Sequence, residues 1–594
     1  MSAVKSLAHR ETFRLFLIKP SHYDDNGYVI QWVRSEIPSN TMAALNALAL
    51  DCRQRQVLGE NVDLEIIAAD ETNTRIKPKQ IIRAIRASGG KGLVVLLGVQ
   101  SNQFPRALDI ARPLREAGIQ VAIGGFHVSG CLSMLPETPP ELQAARELGI
   151  CLFAGEAEGR FDEILRDAWR DELKPLYNYL PDLPGLEGVP GPILPRSKVK
   201  RNINSLASFD AGRGCPFQCS FCTIINVQGR KSRYRSADDI ELIMRANHAQ
   251  GVTSYFITDD NFARNKNWES IFDRIIALRE DEGMEIKLII QVDTLCHLIP
   301  NFLEKSRRAG VNRVFIGLEN INPDNLTSAK KKQNRIIEYR AMLQAWKKNK
   351  VMTYCGYIIG FPNDTPERIL RDIEIIKREL PVDLVEFFCL TPLPGSQDHK
   401  DLAAKGVWMD PDLNKYDLEH VCTGHPLMTP AEFQDIYHRA WEAFYSVDHV
   451  ETIMRRAVAN GVKSSKIVKL ALWFYGCQAI EKVHPLQGGL FRRKYRRDRR
   501  PGLPIEGVLP FYLGYLGEVI AKHARLVVLL RRFLKARARV ERDPDKEHYT
   551  DLALTPPQAN DLEALELFTT TDAAPAKTPA RKASLRPRKV AAAE

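Results

Sequence analysis

Three cysteines lie within one short segment, residues 214–222, and their spacing could hold a metal. Cys215, Cys219 and Cys222 follow the pattern C-x-x-x-C-x-x-C. Three thiolates this close can each bind one iron of a cubic 4Fe-4S cluster, which leaves one iron open to another ligand. Zinc is the alternative, but structural zinc needs a fourth ligand, the segment contains no histidine, and the next cysteine is Cys296. The segment therefore predicts an iron–sulfur site, ahead of zinc or a purely structural role.

The composition is that of a globular protein from a reducing compartment. With 594 residues the chain is too long for one hydrophobic core, so about two to four domains are expected. Of the 11 cysteines only the three above are clustered, and the others are interpreted as buried free thiols. The N-terminus lacks the pattern of a secretory signal, and no run approaches the ~20 apolar residues of a membrane span. These features predict a cytoplasmic protein.

Residues 1–174 are predicted to form a doubly wound parallel sheet, because short apolar strands alternate with helices. The expected strands are 64–68, 92–98, 119–124 and 149–155, and the expected helices are 79–87 and 107–117. Such sheets bind ligands at the carboxyl ends of their strands. The candidate ligand-binding residues at those ends are Ser101, Gly124, Gly125, His127, Gly155 and Glu156. A plain tight turn is the alternative interpretation of the glycine pair.

A proline-rich connector at 175–205 leads to a second βα region, predicted to span residues 206–425. Its expected strands are 206–214, 253–258, 285–292, 313–317, 352–359 and 384–390. Six strands are fewer than a complete barrel needs, so the predicted fold class is α/β, with an open (β/α)6 barrel after the first sheet. Chemistry is expected at the carboxyl ends of these strands. The candidate residues there are Asp259, Asp260, Glu319, Gly356, Ile358 and Gly360, with Asn363 beyond them.

With Phe221 before its last cysteine, the 214–222 segment resembles the signature of the radical S-adenosylmethionine superfamily. The N-terminal sheet, with Gly124-Gly125, resembles the cobalamin-binding domain of one large subgroup. The resemblance implies three cofactors, a 4Fe-4S cluster on Cys215, Cys219 and Cys222, S-adenosylmethionine and cobalamin. It also implies reductive cleavage of S-adenosylmethionine to a 5′-deoxyadenosyl radical that removes a hydrogen atom from a substrate.

The resemblance implies roles for the strand-end residues as well. Asp259 or Asp260 would receive the methionine amino group, Glu319 would meet the ribose, and the 356–360 stretch would lie beside the adenine. Three positions depart from the family pattern. Two carboxylates replace the usual Gly-Gly-Glu, so which one contacts the ammonium is open, and Asn363 replaces a glutamate. The D-x-H-x-x-G motif is missing and His127 stands elsewhere, which leaves open both cobalamin without a protein lower ligand and a sheet that has lost the cofactor.

The activity implied by the subgroup is methylation of an unactivated carbon or phosphorus. Ring formation or skeletal rearrangement without methyl transfer is one alternative, and a non-catalytic electron-transfer or regulatory iron–sulfur protein is another. The strand-end residues favour an enzyme, because an electron carrier needs no cosubstrate cradle. The expected partners are a small-molecule or lipid-like substrate and an external electron donor such as flavodoxin or ferredoxin.

The net charge of +11 comes from one part of the chain. Residues 484–542 contain 15 Lys/Arg and 4 Asp/Glu, whose difference equals the charge of the whole chain. A solvated helical face and peripheral contact with an anionic inner-membrane surface are both consistent with this region, and nucleic acid is disfavoured because no binding module accompanies the charge. Residues 426–545 are predicted to form a helical basic domain, and the tail at 546–594 is predicted to be disordered.

Overall fold

A computed structural model describes residues 10–558 and 561–569, and its first half is built on a parallel sheet. The strands are β1 (Glu11–Lys19), β2 (Gln31–Ser35), β3 (Val62–Asp70), β4 (Gly92–Leu96), β5 (Gln120–Gly124), β6 (Cys151–Ala154) and β7 (Leu176–Asn178). The helices are α1 (Asn40–Gln54), α2 (Pro78–Ala87), α3 (Phe104–Glu116), α4 (Phe126–Met134), α5 (Pro140–Glu147) and α6 (Phe161–Trp169).

The sheet order is β3-β1-β4-β5-β6-β7, with every pair parallel, which confirms the doubly wound sheet. The sequence analysis did not include β1, which is an inner strand. Its residues 15–18 are a continuous buried apolar run, the pattern of a strand covered on both faces.

A second parallel sheet forms the open barrel. Its region contains β8 (Ala207–Phe209), β9 (Gly212–Arg213), β10 (Arg233–Tyr234), β11 (Ser254–Ile257), β12 (Lys287–Val292), β13 (Val311–Glu319), β14 (Met352–Ile359) and β15 (Leu384–Cys389). The helices are α7 (Arg196–Val199), α8 (Ile224–Val227), α9 (Ala237–Ala249), α10 (Trp268–Glu280), α11 (Phe302–Arg308), α12 (Pro323–Ser328), α13 (Ile336–Lys348), α14 (Pro366–Glu379) and α15 (Gln397–Ala404).

The barrel sheet runs β15-β14-β13-β12-β11-β8 in strict chain order, so each helix crosses to the neighbouring strand. This confirms the six-stranded open barrel. The first predicted strand, 206–214, is shorter than expected. It consists of the three residues of β8 and then β9, which pairs antiparallel with β10 instead of joining the barrel sheet.

The C-terminal part is mostly helical, as expected. Its elements are α16 (Pro430–Phe444), α17 (Val447–Ala459), α18 (Ser464–Gly476), β16 (Gly489–Arg493), α19 (Val508–Arg542), α20 (Asp561–Ala564) and α21 (Glu566–Thr569). The helix α16 begins at a capping box of Thr429 and Glu432 and packs on the barrel, where the Trp441 ring lies 5.5 Å from Phe387. Within the described residues no helix combines the length and the hydropathy needed to cross a bilayer.

Two distant parts of the chain pair through β2 and β16. The strands are antiparallel, with Arg492 opposite Trp32. An added Cβ at Gly489 would lie 2.0 Å from the buried Trp32 side chain, so only glycine allows this close approach. Arg492 donates to Asp24 at 2.9 Å. The start of the basic region is therefore bound to the N-terminal domain.

Residues 546–558 and 561–569 pack on the molecule, whereas disorder was predicted from residue 546. Arg340 and Arg456, both buried, donate to Asp561 and Asp551 at 2.8 and 2.7 Å. Phe568 is buried against the body of the protein. The prediction failed because composition does not reveal that buried arginines elsewhere need these carboxylates. The rest of that prediction, residues 559–560 and 570–594, lies outside the described residues.

Candidate active site

The cysteine loop lies between β9 and α8, at the carboxyl end of β8. The Cys215 N–H donates to the Gly229 carbonyl, and the Cys222 N–H donates to the Cys219 carbonyl. Burial, with smaller contributions from nearby Asp260 and Cys219, raises the pKa of Cys222 to about 12.

The loop suits several irons better than one zinc. Sulfurs bound to one tetrahedral zinc lie about 3.8 Å apart. Within the described residues, the sulfurs of Cys215, Cys219 and Cys222 do not all lie within 4.8 Å of one another. This spacing disfavours one zinc, and a 4Fe-4S cluster on Cys215, Cys219 and Cys222 stays the prediction for this loop.

Asp259 and Asp260 follow β11 and have different surroundings. Asp259 is buried and accepts hydrogen bonds from the backbone N–H groups of Ala211 and Gly212 at 2.7 and 2.9 Å, and from Asn265 at 3.0 Å. Its carboxylate therefore fixes the backbone that leads into the cysteine loop. Asp260 has no side-chain hydrogen bond within the described residues, and its charge raises the pKa of both Cys215 and Cys222. Burial raises the pKa of Asp260 itself to about 7, with Asp259 adding to the effect.

The end of β13 holds a buried ion pair beside the loop. Glu319 pairs with Lys331, whose ammonium lies 5.5 Å from the Phe221 ring centroid. Gln333, two residues further on, donates to the Cys219 sulfur at 3.3 Å. Glu319 is where the sequence placed it, but its carboxylate is held by a lysine. The sequence analysis missed Lys331 and Gln333, because a polar run in a loop carries no recognisable spacing.

The β14 positions are shaped by close packing. An added Cβ at Gly360 would lie 2.0 Å from the Phe433 ring of α16, and one at Gly356 would lie 2.9 Å from Phe315. Ile358 is buried in an apolar cluster that also includes Phe221 of the cysteine loop. Ile358 thus lies beside the loop, and the predicted contacts of Gly356 and Gly360 with a cosubstrate stay predictions.

Asp364, and not Asn363, is the buried acid after β14. Its carboxylate accepts from the backbone N–H groups of Gly360 and Phe361 at 2.8 and 3.0 Å, and from Asn325 at 2.7 Å. Asn363 is partly exposed, and its backbone carbonyl accepts from Arg368. The role predicted for Asn363 stays a prediction, and Asp364 beside it holds the turn after β14.

Arginines join the cysteine loop to the N-terminal domain. Arg213, next to the loop, donates to Glu156 and Glu158, each at 2.7 Å. Arg233 donates to Glu156 as well, at 2.5 and 2.8 Å. Burial acts to raise the pKa of Glu158, but Arg213 holds it below its ordinary value. Glu156 lines the cavity at the sheet edge and its carboxylate is held by two arginines, so its predicted cofactor contact stays a prediction.

Two adjoining cavities lie at the carboxyl edge of the N-terminal sheet. One, of about 1060 Å³, is lined mainly by apolar side chains together with Gly124, Gly125 and Gly155. The other, of about 1570 Å³, includes Ser101 and reaches Thr223, next to the last cysteine of the loop. Asn40, Thr41, Gly98 and Phe126 line both. An added Cβ at Gly125 would meet Val99 backbone at 2.2 Å, so this turn needs glycine. The cavities, counted together with the solvent-open space at their mouths, lie where a cofactor bound at the sheet edge would be beside the loop.

His127 does not line either cavity. It is fully buried behind Ser101, with Nδ1 3.1 Å from the Ser101 Oγ and its ring 4.5 Å from that of Phe104. The predicted cofactor contact of His127 is therefore not formed, because α4 directs this side chain into the core between α3 and α5.

Comparison with known proteins gives consistent matches. The sequence model of the Radical SAM superfamily matches residues 211–376. The chain is 23% identical to bacteriochlorophyllide d C-8(2)-methyltransferase of Chlorobaculum tepidum over 63% of this chain and 82% of that protein. It is 22% identical to the hopanoid C-2 methylase of Rhodopseudomonas palustris over 78% of this chain and 88% of the relative.

This chain is also similar to a solved structure, that of the radical S-adenosylmethionine methyltransferase TsrM from Kitasatospora setae with cobalamin and a 4Fe-4S cluster bound. The two structures superpose with a TM-score of 0.54, and the sequences are 15% identical. The match covers 74% of this chain and 90% of TsrM. The two proteins share one fold.

Proposed function

Because this chain belongs to the radical S-adenosylmethionine superfamily, and has the fold of a cobalamin-binding member, we propose that it is a cobalamin-dependent methyltransferase. The observation that carries the proposal is the pair of cavities, which extend from the glycine-rich sheet edge to the cysteine loop. When bound, the three cofactors would supply S-adenosylmethionine cleavage and transfer of a methyl group to an unactivated carbon or phosphorus.

Individual residues have distinct roles in this proposal. Cys215, Cys219 and Cys222 hold the cluster, and Asp260 receives the ammonium of S-adenosylmethionine, since its charge acts on two of the thiols and no other side chain of the described residues donates to it. Asp259 is a positioning residue, because its oxygens are already bonded to backbone and Asn265. Lys331 fixes Glu319 toward the Phe221 side of the loop.

The cobalamin would lie in the two cavities, with Gly124, Gly125 and Gly155 at the sheet edge and Ser101 in the wall. His127 is buried behind that wall, so no imidazole of this residue reaches the cavity. We therefore expect a bound corrinoid to show a base-off absorption spectrum.

The substrate we propose is apolar and lipid-like. Hopanoid C-2 methylase, to which this chain is similar, is named for a lipid substrate. The segment 484–487 lines the larger cavity, and the exposed side chains of Leu486, Leu490 and Phe491 lead away from it along β16. Phe491 stacks on His523 of α19. This path joins the cavity to α19, where most of the side chains are exposed.

We propose that α19 holds the enzyme on an anionic membrane surface. Leu509, Leu513, Leu516 and Ile520 form a stripe at helical spacing and are 56–68% exposed. Exposed cations that form no ion pair within the described residues follow on the same helix: Arg525, Arg531, Arg532 and Lys535. An apolar face next to basic residues is typical of an interfacial helix.

The electron donor would approach the cysteine loop from its basic rim. Arg230 and Lys231 are exposed directly after Gly229, whose carbonyl accepts from Cys215. Lys330 and Lys332 are exposed just after Ala329, whose carbonyl accepts from Ser220. Acidic carriers such as flavodoxin or ferredoxin fit this charge.

Anaerobic reconstitution with iron, sulfide and hydroxocobalamin tests the proposed function. Incubation with S-adenosylmethionine and a reductant, in the presence of a hopanoid or bacteriochlorophyllide-type acceptor, should give 5′-deoxyadenosine, S-adenosylhomocysteine and a methylated product. Cys219→Ala should abolish all three products, whereas Cys52→Ser, which removes a buried thiol on α1, should not. Cleavage without methyl transfer would favour the ring-forming or rearranging alternative, and cleavage by Cys219→Ala would contradict the proposal.

Vesicle flotation tests the membrane contact. Wild-type protein should float with phosphatidylglycerol vesicles at low salt and less as salt rises. Replacing Leu513, Leu516 and Ile520 with serine should abolish flotation. Leu242→Ser, at a single exposed leucine on α9, serves as the matched control and should not. Equal recovery of wild type and the triple variant would contradict the proposed surface.

A further inference from the structure

A second group of metal-ligating side chains lies behind the cavity wall, away from the cysteine loop. His127 and Cys131 are one turn apart on α4, and Glu141 lies in the first turn of α5. The His127, Cys131 and Glu141 ligand atoms all lie within 4.8 Å of one another. Residues four positions apart face the same side of a helix, so α4 brings the imidazole and the thiol together.

The His127 ring has one nitrogen with a partner and one without. Nδ1 lies 3.1 Å from Ser101 Oγ, whereas Nε2 is fully buried and has no hydrogen-bond partner. The nearest Glu141 oxygen is 3.5 Å from Nε2, too long for a good hydrogen bond. Buried polar atoms are normally satisfied. If Nδ1–H donates to Ser101, the lone pair of Nε2 points to the thiol and the carboxylate, as in a histidine that a hydrogen-bond partner orients for a metal.

The barrel contributes a further imidazole. His399 lies in the first turn of α15, is buried, and has an Nδ1 atom without a hydrogen-bond partner. It lines one cavity together with Cys131 and Glu141. Three ligands of nitrogen, sulfur and oxygen type thus lie together, and His399 of the barrel lines the same cavity as two of them, outside that close group.

We propose that His127, Cys131 and Glu141 bind a single zinc ion, with His399 as the fourth ligand, and that the ion joins the two domains. Zinc suits this set because it accepts imidazole, thiolate and carboxylate in one tetrahedral site. Neighbouring ligand atoms of such a site are about 3.3–3.8 Å apart. The His127, Cys131 and Glu141 atoms already lie within 4.8 Å of one another, and binding would draw the His399 imidazole in from the shared cavity. A site with four protein ligands has no open position, so its role is structural.

Zinc content measured by mass spectrometry on anaerobically purified protein tests this site. Wild type should carry one zinc per chain in addition to its iron. The zinc content of His127→Ala and of Cys131→Ser should be about tenfold lower than that of wild type, or less. Cys52→Ser should keep its zinc. Cys219→Ala should lose iron but keep zinc, which separates this site from zinc bound in an iron-free cysteine loop.

A second measurement guards against variants that fail to fold. Glu141 is only partly buried, so Glu141→Gln should fold, as judged by retained iron and circular dichroism, and should release zinc to a competing chelator at concentrations about tenfold lower than wild type. Cobalt added to zinc-free wild type should give a thiolate-to-cobalt absorption band that Cys131→Ser lacks. Equal zinc in wild type, Cys131→Ser and Glu141→Gln, or no zinc in wild type supplied with zinc chloride, would overturn the proposal. Neither result depends on methyl transfer.

Discussion

At the scale of single residues, adjacent side chains of the same type have different tasks. Asp259 satisfies two buried backbone N–H groups, while Asp260 faces the thiols of the cysteine loop. The sequence could predict that an acid stands at this strand end. It could not predict which of two neighbours turns toward the loop, because that depends on the short β8 and on Asn265.

The two aspartates should therefore respond differently to alanine. Asp259→Ala leaves the N–H groups of Ala211 and Gly212 without an acceptor, and each such loss costs about 1–3 kcal/mol. We expect a clear fall in Tm for Asp259→Ala. Asp260→Ala should keep the Tm and weaken S-adenosylmethionine binding at least about tenfold, by equilibrium dialysis of the reconstituted protein. If Asp260→Ala lowered the Tm and Asp259→Ala weakened S-adenosylmethionine binding, the two roles would have to be assigned the other way round.

A buried acid away from the site should make stability depend on pH. Glu386 on β15 is buried, and its Oε2 has no hydrogen-bond partner. Burial, with Glu36 adding, raises its pKa from 4.5 to about 8. Between these values the folded protein holds one proton more than the unfolded chain, so rising pH lowers stability across this window.

Glu386→Gln should remove that dependence. The variant should have a higher Tm than wild type at pH 8, and the difference should shrink as the pH falls toward 5. Glu172→Gln, at an exposed glutamate, is the control and should follow wild type at both pH values. Thermal unfolding at several pH values measures this, and an unchanged difference between pH 5 and pH 8 would contradict it.

At the scale of elements, glycines set how closely the two domains approach. Gly130 of α4 lies against the turn after β15, where its added Cβ would be 2.3 Å from the Pro394 carbonyl oxygen. Alternating strands and helices predicted both sheets, because each element follows its own local pattern. The contact between Gly130 and Gly395 joins residues far apart in the chain, so it cannot be predicted from a local sequence pattern.

Gly130→Ala should separate α4 from that turn. We expect a lower Tm by overpacking, worth about 1–3 kcal/mol, and weaker retention of corrinoid during gel filtration. Gly514→Ala on α19, where an added Cβ meets nothing within 4 Å, should be neutral or slightly stabilising. If Gly130→Ala were as stable as Gly514→Ala, α4 and the turn after β15 could move apart without loss of stability, and the prediction would be wrong.

At the scale of the whole molecule, the C-terminal residues act on the barrel. Arg340 and Arg456 are buried in the helical layer and find carboxylates only after residue 550. Composition predicted disorder there, since an Ala-, Pro- and Lys-rich sequence has few apolar residues to bury. These residues are ordered because the buried arginines, more than 90 residues earlier in the chain, need carboxylate partners.

A chain ending at residue 545 should therefore be less stable than one ending at residue 569. The shorter chain lacks Asp551, Asp561 and the buried Phe568, and a buried charge without its partner costs about 3–5 kcal/mol. Comparison of Tm values for the two truncated proteins measures the effect. Equal Tm values would mean that Arg340 and Arg456 find other acceptors.

The pairing of β2 with β16 has a consequence for biosynthesis. About 450 residues separate the two strands, so at roughly 5–20 residues per second the ribosome needs about 20–90 s to supply the second one. During this interval β2, with Trp32, has no partner strand. The part of the cavity wall at 484–487 has not yet been synthesised. We expect a bulky corrinoid to reach the cavity more easily before this part of its wall has been made. Vitamin supplied to growing cells should therefore fill the protein better than vitamin added after purification.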